Sequence, residues 1–470
     1  MRKLLVIACL SLAAAGLFTQ LSSAAFTGSL AAPSNGITSD ALRNYFSVSP
    51  GTDVQPGTST AVASGNVDGL SIDLGTVPSA RTFSNVFRIT NVSSATHTAT
   101  LNLSSVPQVA AAVFASSGSI SVTLAAGAST TLSVTTSSTV AGRGTGTFRL
   151  GLSGSNWLYR DYSFHVDEAP EAPGAPTGTQ KPAGRIDLSW AATTTTTNLA
   201  GYDVYRSSGA VGTYTKLTAA PQPALTYSDT ATVDGTAYTY KINAVSSGTP
   251  VLNSLDSTTV GVTADATAPG QATSITLTNG GGNGGVYVNS ANSSGISVAV
   301  ALPGGSLTTD VVQLTATVGG TVTATHAGSA GAGTVNFTGI NVSGLGDGTL
   351  TLSVISTDLA GNISSVRTVT VTKDTVAPGV PTAAYTDNNN TGDVVSGTAE
   401  ANASISVTKT APAPTTGYPT SANGAGAYSA TVAIVNGKAN TPISVTYTVT
   451  ATDAAGNTSS ATTLSFSDIR

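Results

Sequence analysis

The stretch Ile443-Ser-Val-Thr-Tyr-Thr-Val449 places an apolar side chain at every second position and hydroxyl-bearing side chains between them. A period of two is typical of a β-strand with one face in a core and the other in water. The same period recurs in Thr98-Ala-Thr-Leu-Asn-Leu103 and Ile296-Ser-Val-Ala-Val300. Only Ser39–Tyr45 and Pro107–Phe114 suggest short helical turns. The sequence therefore predicts an all-β protein.

The composition limits the size of the domains and the kind of partner. Of the 470 residues, 40% are hydrophobic and 9% are charged, so the chain can bury cores. At about 100–150 residues per domain, this length predicts three or four domains. There are 18 basic and 23 acidic side chains, and no segment of the chain is basic. Nucleic-acid binding needs a basic surface, so nucleic acid is excluded as a partner.

The N-terminus has the pattern of a secretory signal peptide. Two basic residues precede an apolar run from Leu4 to Phe18, and small residues follow up to Ala25. We expect residues 1–25 to be removed on export, which leaves a secreted chain with no membrane span. Cleavage also removes Cys9, the single cysteine. Stability must then come from apolar cores or bound ions, since no disulfide can form.

Proline-containing seams divide the rest of the chain. Asp265-Ala-Thr-Ala-Pro-Gly270 matches Asp374-Thr-Val-Ala-Pro-Gly379, and Asp358-Leu-Ala-Gly-Asn362 matches Asp453-Ala-Ala-Gly-Asn457. This spacing indicates an internal repeat. The predicted boundaries are 26–65 for an unassigned N-terminal extension, and 66–168, 169–265, 266–374 and 375–470 for four sandwiches.

Residues 172–263 resemble a fibronectin type III domain, with Ile186-Asp-Leu-Ser-Trp190 and Gly235-Thr-Ala-Tyr-Thr-Tyr-Lys-Ile-Asn-Ala-Val245 in the places of its second and sixth strands. The resemblance implies that Trp190 is the core tryptophan of that family. It also implies that Tyr238 is the corner tyrosine, whose hydroxyl bonds to the nearby backbone.

The other modules resemble immunoglobulin-like domains. Residues 266–374 and 375–470 resemble the bacterial immunoglobulin-like repeats of large surface adhesins, through the Asp-x-Ala-Gly-Asn loop and the Ala-Pro linker. Residues 66–168 resemble Hydin-like immunoglobulin domains, through Leu74-Gly-Thr-Val77 and Phe87-Arg-Ile-Thr-Asn91. The resemblances imply a tandem array of immunoglobulin-like and fibronectin type III β-sandwiches.

Calcium is the one cofactor that the sequence suggests. Adhesin repeats of this type bind calcium between domains, and loops at one pole of each sandwich carry oxygen ligands of the kind calcium takes. The expected ligands are Asp374, Glu400, Asp453 and Asn457 in the last module, and for a weaker site Asp265, Asp358 and Asn362 in the third. The same loop also has the composition of a tight turn, a role that needs no metal.

Residues that could carry catalysis or sugar binding are few. The three histidines lie in separate segments, and none belongs to a zinc or triad motif. Trp157 and Tyr159 share a strand face and could stack on a sugar, although core packing is the favoured interpretation. A glycoside hydrolase would need paired carboxylates, for which the nearby acids are Asp68, Asp73, Asp161 and Asp167.

These features favour a secreted, non-catalytic structural or adhesive protein of a cell surface or extracellular matrix, stiffened by calcium. The expected partners are cell-surface or matrix components, with polysaccharide and self-association as further options. The alternative is a non-catalytic carbohydrate-binding accessory protein of polysaccharide degradation, and a glycoside hydrolase is least favoured.

Overall fold

The computed structural model is nearly all β, with 54% of residues in strands. The residues it describes are 40–50, 62–64, 71–112, 119–155, 158–209, 213–304, 309–327, 333–388, 392–434 and 441–468. Within these ranges the helical elements are three short 3-10 turns, and no helix is long and apolar enough to cross a membrane. The predicted signal peptide, residues 1–25, lies outside the described residues.

In the described part of the chain, thirty-two strands form eight sheets, which pair into four sandwiches, modules I to IV. Module I has sheets of order β1-β4-β8-β6 and β2-β3-β10-β9-β5-β7, in which β3 and β10 run parallel. Its strands are β1 (Phe46–Pro50), β2 (Val62–Ser64), β3 (Ser71–Val77), β4 (Thr82–Asn91), β5 (His97–Leu103), β6 (Val109–Ala112), β7 (Ser119–Leu124), β8 (Ser129–Thr136), β9 (Gly142–Leu152) and β10 (Tyr159–Glu168).

Module I begins before the predicted boundary at residue 66. Strand β1 pairs with β4, and β2 pairs with β3. Leu42, in the 3-10 turn Asp40–Asn44, is buried in the module I core together with Phe46 and Val48. These parts of the predicted extension therefore belong to the first sandwich, because they complete its sheets and fill its core.

The helical turn predicted for Pro107–Phe114 is wrong in its described part. Val109–Ala112 is strand β6, which pairs with β8. The alanine-rich run has a high helix propensity, but pairing with a neighbouring strand overrides a weak local preference.

Module II has sheets of order β11-β12-β15 and β14-β13-β16-β17. Trp190 and Tyr238 are buried in its core, and the hydroxyl of Tyr238 accepts a hydrogen bond from the amide of Val233 over 2.9 Å. This is the corner bond that the fibronectin type III resemblance implies. The strands are β11 (Thr177–Gln180), β12 (Ile186–Ser189), β13 (Leu199–Ser208), β14 (Thr215–Lys216), β15 (Thr226–Asp229), β16 (Ala237–Ser246) and β17 (Val260–Thr263).

Module III has sheets of order β18-β20-β23 and β19-β25-β24-β21-β22. The alternation predicted for Ile296–Val300 is confirmed, because Ile296, Val298 and Val300 are buried in the core. The strands are β18 (Ser274–Leu277), β19 (Tyr287–Val288), β20 (Ile296–Ala301), β21 (Val311–Thr317), β22 (Thr321–Ala327), β23 (Thr334–Ile340), β24 (Gly348–Thr357) and β25 (Arg367–Lys373).

Module IV has sheets of order β26-β27-β30 and β29-β28-β31-β32. On β31, Val445, Tyr447 and Val449 are fully buried, so the alternating stretch forms the strand that its period predicts. The strands are β26 (Ala384–Thr386), β27 (Asp393–Thr398), β28 (Ser404–Ala411), β29 (Thr416–Ser421), β30 (Ala427–Val432), β31 (Ile443–Thr452) and β32 (Thr462–Asp468).

Candidate functional site: the joints between modules

The joint between modules I and II is closed by a short stretch of paired backbone. Val140 and Thr197 form a parallel bridge, and the amide of Ala141 donates to the carbonyl oxygen of Thr197 over 3.2 Å. The side chain of Asn198 donates from Nδ2 to the carbonyl oxygen of Ala141 over 2.8 Å. Asn198 has a left-handed φ of 61°, a conformation that asparagine adopts more readily than most residues. An asparagine side chain thus bridges this seam.

The linker after module I is fastened on both sides by Glu171. Its Oε1 accepts from the amide of Ala80 in module I over 2.5 Å. Its own amide donates to Oγ1 of Thr195 over 2.9 Å, and its carbonyl oxygen accepts from Oγ1 of Thr193 over 2.7 Å. Both threonines belong to module II, so the linker is bonded to the two modules that it joins.

The Asp-x-Ala-Gly-Asn loops of modules III and IV share one internal geometry. The amide of Asn362 donates to Oδ1 of Asp358 over 2.8 Å, and its Nδ2 donates to Oδ2 over 2.9 Å. Asn457 makes the same two bonds with Asp453 at 2.8 and 2.9 Å. The glycine before each asparagine has a φ of 92° or 90°, which only glycine adopts without strain. The tight turn predicted for this loop is confirmed.

In module III the loop also reaches into module II. The Nδ2 of Asn362 donates to the carbonyl oxygen of Asp265 over 3.1 Å, and its Oδ1 accepts from the amide of Ala183 over 2.9 Å. Ala183 lies in the 3-10 turn Pro182–Gly184 of module II. Asn362 is only 7% exposed, so water competes little for these bonds.

In module IV the equivalent asparagine reaches into module III. The Nδ2 of Asn457 donates to the carbonyl oxygen of Asp374 over 2.9 Å, and its Oδ1 accepts from the amide of Ser290 over 2.9 Å. Asn457 is 2% exposed. The bonding pattern repeats that of Asn362, although Ala183 and Ser290 lie in modules of different types.

The joint between modules III and IV has additional bonds. Asn289 donates from Nδ2 to the carbonyl oxygen of Ala455 over 2.8 Å. The amide of Asn283 donates to the carbonyl oxygen of Ala454 over 3.2 Å. Gly282 packs so closely on this loop that a Cβ added there would lie 2.3 Å from the Ala454 oxygen. The joint between modules III and IV is therefore more extensively bonded than the joint between modules II and III.

The predicted calcium ligands do not form one cluster of carboxylates. Within the described ranges, no three His, Cys, Asp or Glu side chains come together as a group that could hold a metal ion. Both carboxylate oxygens of Asp453 accept hydrogen bonds from Asn457, and Oδ1 of Asp374 accepts from the amide of Val376 over 3.1 Å. Glu400 is exposed. Hydrogen bonds therefore engage both oxygens of Asp453 and one oxygen of Asp374, and calcium binding by this set of residues stays a prediction.

The joint between modules II and III is more acidic than the sequence suggests. Burial raises the pKa of Asp265, and the carboxylates of Asp358, Asp234 and Asp310 act in the same direction, against a hydrogen bond from a backbone amide. The seam thus combines a partly buried acid with neighbouring negative charge.

The predicted sugar platform is only partly described. Trp157 lies outside the described residues. The guanidinium carbon of Arg149 sits 3.9 Å from the centre of the Tyr159 ring, and Arg149 also forms two 2.7 Å bonds to the carboxylate of Asp161. Arg149 thus covers one face of the Tyr159 ring.

The described acids that were considered for a hydrolase contact neighbouring arginine or histidine side chains. Nδ1 of His165 lies 2.7 Å from Oδ1 of Asp73, and its Nε2 lies 3.2 Å from Oδ1 of Asp167. Arg143 bonds to both oxygens of Asp167 and, as the main cause, lowers the pKa of that acid. Asp68 lies outside the described residues.

Sequence reasoning missed two features of the modules and their joints. The amides of Ala183 and Ser290, which receive the asparagines, are backbone groups that any residue could supply. Glu168 is fully buried in module I with no well-aligned hydrogen bond to either carboxyl oxygen, at a position where the strand pattern calls for an apolar residue. Glu168 stands beside Asp167 and close to Glu171 at the predicted boundary, so its sequence context is typical of an acidic linker.

The fold and the joints define a class of protein: an all-β array of four sandwiches joined in tandem. No protein-family model matches the chain. Three curated proteins share 31 to 36% identity with parts of it.

These relatives are enzymes of much greater length than the matched part. Chitinase C of Streptomyces lividans is 34% identical over 119 residues, which is 25% of this chain and 15% of that protein. Chitinase 63 of Streptomyces plicatus is 36% identical over 98 residues, 20% of this chain and 15% of that protein. The amylopullulanase of Thermoanaerobacterium saccharolyticum is 31% identical over 117 residues, which is 24% of this chain and 9% of that protein. The chain thus spans less than a sixth of each relative.

Three solved structures align with much of the chain, each at low identity. The FN1-FN3 domains of chicken CNTN1 align with 64% of this chain and 99% of that one, at 12% identity and a TM-score of 0.28. A tetra-tandem repeat from the extending region of a large adhesion protein aligns with 82% of this chain and 95% of that one, at 20% identity and a TM-score of 0.24. A solved chain from a 1.5-MDa bacterial ice-binding adhesin aligns over 64% of this chain and 100% of that one, at 20% identity and a TM-score of 0.29.

Proposed function

We propose that this chain is a secreted, non-catalytic structural or adhesive protein, in which four sandwiches form a spacer that acts at a cell surface or in an extracellular matrix. The observation that carries the proposal is that each of the three joints is crossed by an asparagine side chain, from Asn198, Asn362 and Asn457. Bonded joints keep modules at a set spacing, which a spacer or adhesive rod requires and a loosely tethered set of domains lacks.

The experiment is a pull-down of the purified chain on cell walls, extracellular matrix proteins, chitin and starch. The proposal predicts retention on cells or matrix, or self-association, with no hydrolysis of the polysaccharides. Release of soluble sugars by the purified chain, without retention on cells or matrix, would overturn it. A β-sandwich protein of similar charge and unrelated sequence serves as the control for non-specific adsorption.

A second candidate function is carbohydrate binding as an accessory to polysaccharide degradation. The observation that favours it is the identity of 31 to 36% with segments of two chitinases and an amylopullulanase. Modules of this type recur beside unrelated catalytic domains, so shared segments support this candidate only by association. It predicts retention on chitin or starch that Tyr159→Ala weakens, with Tyr205→Ala as a control in module II.

A further inference from the structure

We propose that Asn362 and Asn457 fix the orientation between modules II and III and between modules III and IV, and that they do so without a metal ion. The inference deepens the proposed function, because it names what would make a spacer stiff. It replaces the calcium-stiffened joint that the sequence predicts.

An asparagine side chain suits this position because one planar group both donates and accepts. At each joint Nδ2 donates to an aspartate carboxylate of its own loop and to the carbonyl oxygen of the linker, while Oδ1 accepts from an amide of the preceding module. Exchanging the amide oxygen and nitrogen would set Oδ1 against two oxygens and Nδ2 against an N–H group. The hydrogen-bond partners therefore fix the orientation of the amide.

Burial makes these bonds selective. Asn362 and Asn457 are 7% and 2% exposed, so a side chain that left a partner unbonded would strand a polar group away from water. Such a loss costs more than the bond itself contributes. A joint held this way has one favoured geometry.

The same contacts argue against a cation at the asparagine. Oδ1 of Asn457 faces the N–H group of Ser290, and Oδ1 of Asn362 faces that of Ala183. A calcium ion takes six to eight oxygen ligands, and an N–H dipole directed at the same oxygen opposes a positive charge. The joint between modules II and III is the stricter test, since Asp265 and its acidic neighbours give a cation its best opportunity there.

The test uses the full chain with Cys9→Ser, so that introduced cysteines are the only ones. Spin labels at exposed strand positions Thr323→Cys and Ser406→Cys report modules III and IV, and labels at Thr215→Cys and Thr323→Cys report modules II and III. Pulsed electron paramagnetic resonance then gives the width of each distance distribution, with calcium and with EDTA.

The inference predicts that Asn457→Ala broadens the III–IV distribution at least twofold and leaves the II–III distribution unchanged. Asn362→Ala does the reverse. Asn457→Asp, which keeps the shape but replaces the donor with a negative oxygen facing two others, broadens III–IV as much as alanine does. EDTA changes neither distribution in the parent chain.

Two results would overturn the inference. One is an unchanged width in both alanine variants, and the other is broadening of the parent chain by EDTA to the width of Asn457→Ala. A pair of labels inside module III, at Thr323→Cys and Thr351→Cys, checks that module III stays folded in each variant. Stiff joints in a chain that binds no surface would contradict the proposed function and leave this inference standing.

Discussion

The side chain of Asn289 in module III donates to the carbonyl oxygen of Ala455 in module IV over 2.8 Å, and both residues are buried. Ala455 belongs to the same loop as Asn457, so this loop is held from two sides. At the joint between modules II and III the corresponding loop carries Leu359, which is 74% exposed. The two joints thus share the asparagine bond and differ in the contacts around it.

Gly282→Ala should loosen the joint between modules III and IV. The added Cβ would lie 2.3 Å from the carbonyl oxygen of Ala454, so the module IV loop must move away. Gly284→Ala is the matched control, because Gly284 has a similar positive φ of 78° against 72° and no atom within 4 Å of the added Cβ. The label pair across this joint should broaden with Gly282→Ala only. Equal broadening in both variants would mean that backbone strain, and not the contact, is responsible.

Glu168→Gln should remove a pH dependence of module I stability. Burial is the main cause that raises the pKa of Glu168 to about 8, with Glu171 adding to the shift and Thr136 and Arg81 opposing it. The folded state then holds a proton that the unfolded state releases near its ordinary pKa of 4.5. The contribution of Glu168 to the free energy of unfolding is fully present below pH 4.5. It declines as the pH rises to about 8, by at most about 1.4 kcal/mol per pH unit.

Calorimetry of the full chain between pH 5 and 8 measures this effect. We expect the transition of module I to fall in temperature across that window in the parent chain and to stay nearly level in Glu168→Gln. Parallel curves for the two proteins would show that Glu168 is not the group that titrates.

Tyr238→Phe should destabilise module II by about 0.5–1.5 kcal/mol, because it removes the hydrogen bond to the amide of Val233 while the ring stays packed. Tyr205→Phe removes a hydroxyl from the neighbouring strand outside this corner and serves as the control. Urea unfolding followed by Trp190 fluorescence, in a Trp157→Phe background, reports module II. A loss no larger than that of the control would remove the corner bond from the account.

Local patterns predicted the parts of the structure that depend on local chemistry. The period of two on β31 and the turn at Asp453–Asn457 follow from side-chain alternation and from the backbone preferences of Asp, Gly and Asn. The contribution of Phe46–Pro50 to module I depends on pairing with a strand about 40 residues away, and periodicity does not specify a partner.

In the joints too, the local features follow from the sequence and the long-range contacts do not. The sequence marked Asn362 and Asn457 as special, and the structure gives them a role in bonding modules together. Their partners Ala183 and Ser290 are backbone amides, so composition offered no means to find them. The calcium prediction rested on a count of oxygen atoms, and the structure adds that the carboxylate oxygens of Asp358 and Asp453 accept hydrogen bonds within their own loops.

Small-angle X-ray scattering of the full chain, with calcium and with EDTA, tests the central claim of a spacer with metal-independent joints most directly. The parent chain should give the same pair-distance function and maximum dimension in both conditions, and Asn362→Ala combined with Asn457→Ala should give a shorter, more flexible profile in both. A parent chain that becomes as flexible in EDTA as the double variant would contradict the account and return calcium to the joints.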